Sequence, residues 1–309
     1  MSAKIFIDGE AGTTGLGIHA RLEARHDIEI LSLPPEQRKD PAAKKAILER
    51  ADIAVLCLPD DAARETVALA GSLGEKAPRL LDASTAHRVA DGWVYGFPEM
   101  APGQAEAIKS ARRVANPGCY ATGAISLLRP LIDLGLLPPD TPLSIHAVSG
   151  YTGGGKAMIA DYESGKAPPF EAYGLGLEHK HLPEIMRYAR LACRPVFAPS
   201  VGNFAQGMLV FVPLFCSRLP GKPKGADLLA ALKDHYRNHY NGCPLITVAP
   251  GDPSGRIEPQ SLNGTDRLEL SVFANDARGQ AVLAAKLDNL GKGASGAAVQ
   301  NLLLMLQQA

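Results

Sequence analysis

The 309-residue chain lacks net charge: 32 lysines and arginines balance 32 aspartates and glutamates. Nonspecific binding to nucleic acid or to an acidic membrane surface needs a basic excess or a basic stripe, and the sequence has neither. Long apolar runs are missing too, and none approaches the ~18 uninterrupted residues of a membrane span. Cysteine is scarce. Cys57, Cys119, Cys193, Cys216 and Cys243 are scattered and never spaced Cys-x-x-Cys, which argues against a disulfide framework and against a zinc knuckle. The first residues run straight into Lys4-Ile5-Phe6-Ile7, without the basic and long apolar regions of a leader peptide. A reducing cytoplasm is the expected setting. What the chain does have is length for two domains, each with its own core. Glycine (31) and proline (24) run somewhat above average, so loops and tight turns should be plentiful.

Short β-rich runs alternate with helical patterns in the first third. Residues 5–7, 28–33, 53–58 and 80–82 read as strands, and 16–25 and 64–73 as helices. That alternation predicts an α/β doubly wound domain on a parallel sheet. Prolines set loops at 34–40 and 138–142. Beyond Pro117 the texture changes. A long helix is expected over 119–134, ended by Gly135 and the Pro138-Pro139 pair. Strand-like runs follow at 143–148, 208–214 and 268–274, with one helix at 227–240. This is the pattern of an α+β domain with a mainly antiparallel sheet. The last segment, 280–307, reads as helix broken near 291–296 and is expected to pack back on the first domain. The expected division is 1–117, completed by 280–309, and 118–279.

Gly9-Glu10-Ala11-Gly12-Thr13-Thr14-Gly15 follows the first strand and opens a helix. Glycines there let the backbone turn tightly and approach a pyrophosphate. The pyrophosphate then rests on the helix N-terminus, with the hydroxyls of Thr13 and Thr14 beside it. Glycine turns also serve simply to pack a helix on a sheet, but the strand–turn–helix context favours a nucleotide. NAD sites place an acidic residue about 20 residues on, at the end of the second strand. Here that end reads Leu31-Ser32-Leu33, followed by Arg38, Lys39, Lys44 and Lys45, and Glu29 comes too early. Ser32 with Arg38 and its neighbours suits a 2′-phosphate, so the expected cofactor is NADP(H). Any one of these cations could equally serve only to solvate a loop.

Asn116-Pro117-Gly118-Cys119-Tyr120-Ala121-Thr122-Gly123 is the most specific feature. Pro-Gly makes a turn, and Cys119 falls in the first turn of the helix that follows. The helix dipole and the first-turn N–H groups there stabilise a thiolate and can donate to a developing oxyanion. Cys119 is therefore the expected nucleophile, whereas Cys57 and Cys216 sit in apolar company as structural thiols. A thiolate needs a proton-transfer partner. Among eight histidines, His19, His26, His235 and His239 read as surface or loop positions, His146 as packing within a strand, and His87 as a neighbour of the fourth strand. His179-Lys180-His181-Leu182-Pro183-Glu184-Ile185 differs, since two histidines precede a proline-started helix. No third ligand of fitting spacing accompanies them, so an acid–base site is expected and no metal, with Glu184 orienting one ring.

The cysteine and histidine motifs together resemble those of the N-acetyl-γ-glutamyl-phosphate reductases, and the shorter form matches this length. The resemblance runs nearly end to end through Tyr95-Gly96-Phe97-Pro98-Glu99, Val148-Ser149-Gly150, Asp288-Asn289-Leu290, Lys292-Gly293 and Gly296-Ala297-Ala298-Val299-Gln300. It implies a Rossmann-type NADP domain joined to a catalytic and dimerisation domain like those of the aspartate-semialdehyde and glyceraldehyde-3-phosphate dehydrogenases. It implies Cys119 as nucleophile forming a thioacyl intermediate, and His179 as acid–base with His181 a close second. By the same resemblance Asn116 helps hold the oxyanion, Ser84 and Asn289 line the nicotinamide pocket, and Ser149, Gly150 and Lys156 contact substrate. The longer forms carry arginines where this chain has Lys156 and Gln206; Arg88 or Lys180 would then supply the anion contact missing at Gln206. The implied partners are a small acyl phosphate, phosphate and further copies of the chain, as dimer or tetramer, with neither nucleic acid nor membrane. Two rival readings are an aspartate-semialdehyde dehydrogenase and a non-catalytic NADP-binding sensor. The former usually carries Asn-Cys where Gly118-Cys119 stands. A cysteine hydrolase would leave the nucleotide turn unexplained.

Overall fold

The computed structural model describes residues 2–238 and 245–307. Expectations for His239, Cys243 and the end of the 227–240 helix lie outside the described residues. The chain divides into two units, one of residues up to Pro98 with Gly103–Pro117 and the residues from Ala294 on, the other of Glu99–Pro102 with Gly118–Gly293.

The first unit is wound on a parallel sheet. Its elements are β1 (Ala3–Asp8), α1 (Thr13–Leu22), β2 (Ile28–Leu31), α2 (Pro41–Leu48), β3 (Ile53–Leu56), α3 (Asp60–Gly71), β4 (Arg79–Asp82), β5 (Val94–Tyr95), α4 (Gln104–Ser110), β6 (Arg113–Ala115) and the C-terminal helix Gly296–Leu306. The strand order is β2-β1-β3-β4-β6-β5, with every pairing parallel. Alternation along β1 sends its side chains into two cores. Ile5 and Ile7 pack with Ile18, Val55, Leu302 and Met305, while Phe6 packs with Leu31, Leu48 and Leu56 on the other face. Burial on both faces explains why these strands read as near-continuous apolar runs. The chain reverses its winding at β1, between β2 and β3, and in such sheets ligands bind beyond the carboxyl ends of the strands at that point.

The second unit holds α5 (Cys119–Asp133), β7 (Ser144–Gly150), α6 (Gly155–Glu163), β8 (Phe170–Ala172), α7 (Leu182–Ala189), β9 (Val196–Gly202), β10 (Met208–Leu214), α8 (Gly225–Asn238), β11 (Ile246–Pro250), β12 (Leu268–Asn275) and β13 (Gln280–Leu287). Its sheet runs β11-β12-β13-β10-β7-β9-β8. The β11–β12 and β7–β9 pairs are parallel and the other four antiparallel, so the sheet is mixed with an antiparallel majority. Helix α5 is buried along nearly its whole length, from Tyr120 to Ile132.

The helix expected over 280–307 is corrected in its first third. Residues Gln280–Leu287 form β13, hydrogen-bonded between β10 and β12. That pairing holds residues 280–293 in the second unit, and only the part from Ala294 on belongs with the first. His146, expected as a packing residue, is exposed on β7.

Candidate active site

In the first unit the glycine turn is dictated by close approach. Gly9 has φ 89°, and a Cβ there would fall 2.3 Å from the Cys57 carbonyl oxygen. A Cβ at Gly15 would fall 2.5 Å from the Gly9 carbonyl oxygen. Gly12 donates its N–H to Gly9 at 3.0 Å and caps α1, whose first turn contains no acidic residue. The result is a positive helix terminus beside half-buried Thr13 and Thr14, at the carboxyl end of β1, which fits a pyrophosphate. Ser32 and Arg38 lie together at this end, both bound to Glu10: the Ser32 hydroxyl donates at 2.8 Å and Arg38 Nη2 at 2.5 Å. Lys44, in contrast, is drawn inward to Asp8, 2.8 Å away, and donates to Thr66. Lys39 and Lys45 are exposed.

Beyond β4, Asp82 is fully buried and accepts from Ser84 N–H (2.9 Å) and the Ser84 hydroxyl (2.8 Å), with His87 Nδ1 at 2.6 Å. His87 also stacks on Trp93, ring centroids 4.3 Å apart. Ser84 is thus held in one position by Asp82. The Asp82–His87 pair escaped the sequence reading, because nothing in the spacing marks a carboxylate that satisfies a loop five residues on.

Two assigned side chains of this unit are committed elsewhere. The Asn116 amide donates to the Ala294 carbonyl at 3.1 Å and accepts from Asn301 at 3.0 Å, and it is 1% exposed. These bonds brace it against the C-terminal residues of its own unit. Buried Arg88 donates to the Asn116 and Ala83 carbonyls and so clamps two backbone segments of the unit.

In the second unit Cys119 is the first residue of α5, half-buried, with Gly118 as N-cap. No side chain caps this terminus; the Gly118 N–H donates instead to the Glu184 carboxylate at 3.1 Å. The other carboxylate oxygen of Glu184 lies 3.9 Å from His181 Nε2, and both residues are buried. A single α7 carboxylate thereby ties the start of the cysteine helix to the histidine motif. Gly293 packs against Cys119: a Cβ on it would lie 2.8 Å from Cys119 Cβ, so only glycine fits.

His179 is half-buried in a cage of rings, with Phe197 at 5.0 Å, His181 at 4.8 Å, Tyr120 at 5.8 Å and Tyr173 at 5.9 Å between centroids. Its Nδ1 accepts the His181 backbone N–H at 3.1 Å. That bond assigns the hydrogen of the neutral ring to Nε2. The Tyr173 hydroxyl donates to Tyr120, whose hydroxyl donates to the Ser200 carbonyl. Burial pushes the Tyr173 phenol up to about 12 and the Tyr120 phenol higher still, with the neighbouring Cys119 adding in both cases. Both hydroxyls remain neutral donors. The sequence signal for this cage was present in Tyr120, directly after the cysteine, and was not singled out.

Ser149 is buried at the end of β7, its hydroxyl donating to the Gly150 carbonyl at 3.0 Å. Lys156 is exposed near the start of α6, and Gln206 is half-buried. The Asn289 amide accepts from Gly207 N–H and donates to Thr152, both at 2.9 Å, which braces two loops of the second unit.

Residues 7–111 match the semialdehyde dehydrogenase NAD-binding domain and residues 119–289 the semialdehyde dehydrogenase dimerisation domain. These matches define the class as a semialdehyde dehydrogenase with a nucleotide domain and an associating catalytic domain. Within it, the chain is 58% identical to the N-acetyl-γ-glutamyl-phosphate reductase of Chelativorans sp. (strain BNC1), covering 99% of both chains. It is 54% identical to that of Burkholderia cenocepacia, covering 98% of this chain and 96% of the other. The chain belongs to the N-acetyl-γ-glutamyl-phosphate reductase family. Solved structures share the fold at low identity. Aspartate-semialdehyde dehydrogenase II from Vibrio cholerae has TM-score 0.75 at 14% identity over 99% of both chains, and the Candida albicans enzyme with NADP has TM-score 0.66 at 12% identity over 99% of both. Among the described residues no helix is long and apolar enough to cross a membrane.

Proposed function

We propose that this chain is an NADP-dependent oxidoreductase of arginine biosynthesis. It reduces N-acetyl-γ-glutamyl phosphate to N-acetylglutamate 5-semialdehyde, reversibly, through a thioester on Cys119. The observation that carries the reading is Cys119 at the first position of a buried helix, with the caged His179 beside the adjoining Tyr120.

The helix terminus favours the thiolate of Cys119. The sulfur bonds to the acyl carbon, the carbon–oxygen bond to phosphate breaks, and phosphate leaves with that electron pair. First-turn N–H groups of α5, which helix geometry leaves without intrahelical acceptors, stabilise the tetrahedral oxyanions before and after. The glycine turn would hold NADPH, which when bound would supply the hydride that reduces the thioester carbon. Collapse then returns the sulfur as thiolate and releases the aldehyde. His179 meets the developing oxyanion as an Nε2–H donor. Full proton transfer requires Nδ1 to take a proton and give up the His181 N–H, so His181 and Glu184 tune the step. Ser149, Gly150 and Lys156 bind the substrate's anionic groups. Ser84 would border the nicotinamide, and Ser32 and Arg38 would hold the 2′-phosphate. Copies associate as a dimer or tetramer. The absence of disulfides at Cys57, Cys119, Cys193 and Cys216 suits the cytoplasm.

The test supplies N-acetylglutamate semialdehyde, phosphate and NADP+ and follows formation of reduced cofactor. Wild type should turn over and Cys119→Ser should lose about 10³-fold or more. Equal rates would remove Cys119 from the reaction, and preference for aspartate semialdehyde would overturn the substrate.

A further inference from the structure

The glycine turn carries an acid that its phosphate-binding task does not need. Glu10 points across to the β2 end, where its two carboxylate oxygens accept from Ser32 and from Arg38. The Glu10 side chain is 17% exposed and Arg38 39% exposed, so the pair is only partly screened by water. Arg38 is also fixed by a bond from Nε to the Leu33 carbonyl at 3.3 Å. The recess that Glu10, Arg38, Gly9 and Leu33 share is small, about 10 Å³, room for about one water. A carboxylate therefore occupies the hydroxyl and guanidinium donors that a 2′-phosphate would use.

We propose that Glu10 is an internal stand-in for the 2′-phosphate and sets the chain's preference between NADPH and NADH. The inference rests on the reading of Ser32 and Arg38 as the 2′-phosphate donors. A phosphate arriving there takes over both donors and displaces Glu10, since two anions cannot share one guanidinium edge without repulsion. NADH brings no group that competes, and its 2′-hydroxyl can donate to the carboxylate in place. Glu10 thus holds Arg38 ready in the free protein while narrowing the advantage of NADPH. A neutral residue at position 10 widens it.

The probes are adenosine 2′,5′-bisphosphate and 5′-AMP, titrated calorimetrically without substrate into wild type, Glu10→Gln, Glu10→Ala and Arg38→Ala. Both Glu10 variants should bind the bisphosphate roughly three- to tenfold tighter, as expected for loss of a partly exposed competing ion pair. 5′-AMP should stay within about twofold, which also reports an intact turn. Unchanged or weaker bisphosphate binding in both Glu10 variants overturns the proposal. Arg38→Ala should bring the bisphosphate close to 5′-AMP. If Arg38→Ala leaves their ratio untouched, the 2′-phosphate is read elsewhere, and the underlying reading fails independently of Glu10.

Discussion

The helix that carries Cys119 contains a proline, and its consequence can be followed atom by atom. Pro130 has no N–H, so the Ser126 carbonyl one turn earlier loses its helical donor. The Tyr236 hydroxyl, from α8, donates to that carbonyl at 2.9 Å. Tyr236→Phe removes the donor and almost nothing else. A buried carbonyl left unmatched destabilises by ~1–3 kcal/mol, which for a unit of this size lowers the melting midpoint by roughly 2–12 °C. Pro130→Ala restores an N–H at the right place, so in that background the same tyrosine change should cost only a few tenths of a kcal/mol, about the limit of additivity. The coupling between the two positions should then be about 1 kcal/mol or more. Chemical denaturation of the four proteins of this cycle, followed by circular dichroism, measures it. Pro130 stands about 16 Å along the helix axis from Cys119, so kcat should change little in Tyr236→Phe. An equal loss of stability in both backgrounds would refute the reasoning and assign the tyrosine's contribution to packing.

Alkaline pH should destabilise the fold in a predictable window. Burial, with Asp82 and Asp8 adding, pushes the Cys57 thiol up to about 12 from an ordinary 9.0, and burial pushes Tyr173 up to about 12 from 10.0. Above those ordinary values the unfolded chain sheds protons that the folded chain keeps, so the stabilisation present at neutral pH is lost as pH rises from about 9 to about 12. Denaturation midpoints across that range check the sign, and stability that stayed flat or rose would contradict it. Gly9→Ala combines a φ of 89° with a Cβ 2.3 Å from a backbone oxygen. It should cost ~1–3 kcal/mol and weaken NADPH binding about tenfold or more, measured by fluorescence titration. Gly12→Ala, where the nearest atom lies 3.3 Å away, should be milder.

What could be read before folding is what local signals encode. The strand–glycine–helix start and the helix opening at Cys119 both depend on residues within one turn of each other, and both stand as expected. β13 was missed for the opposite reason: Gln280-Ala-Val-Leu-Ala-Ala-Lys-Leu287 is built largely from good helix formers, and pairing on both edges overrides that preference. The same distinction separates the site residues. Asn116, Asn289 and Arg88 carry attractive chemistry, yet their partners are backbone atoms, the Asn301 amide and the Thr152 hydroxyl, which folding brings to them and spacing does not reveal. Asn116 and Asn289 are each 1% exposed and Arg88 8%, with their donors already directed to protein oxygens. Each is held as the ordinary rule for buried polar atoms requires. Cys119 and His179 differ from these three in being half-buried, the first at a helix start and the second within its cage of rings, so that each combines partial exposure with a backbone position fixed by its surroundings.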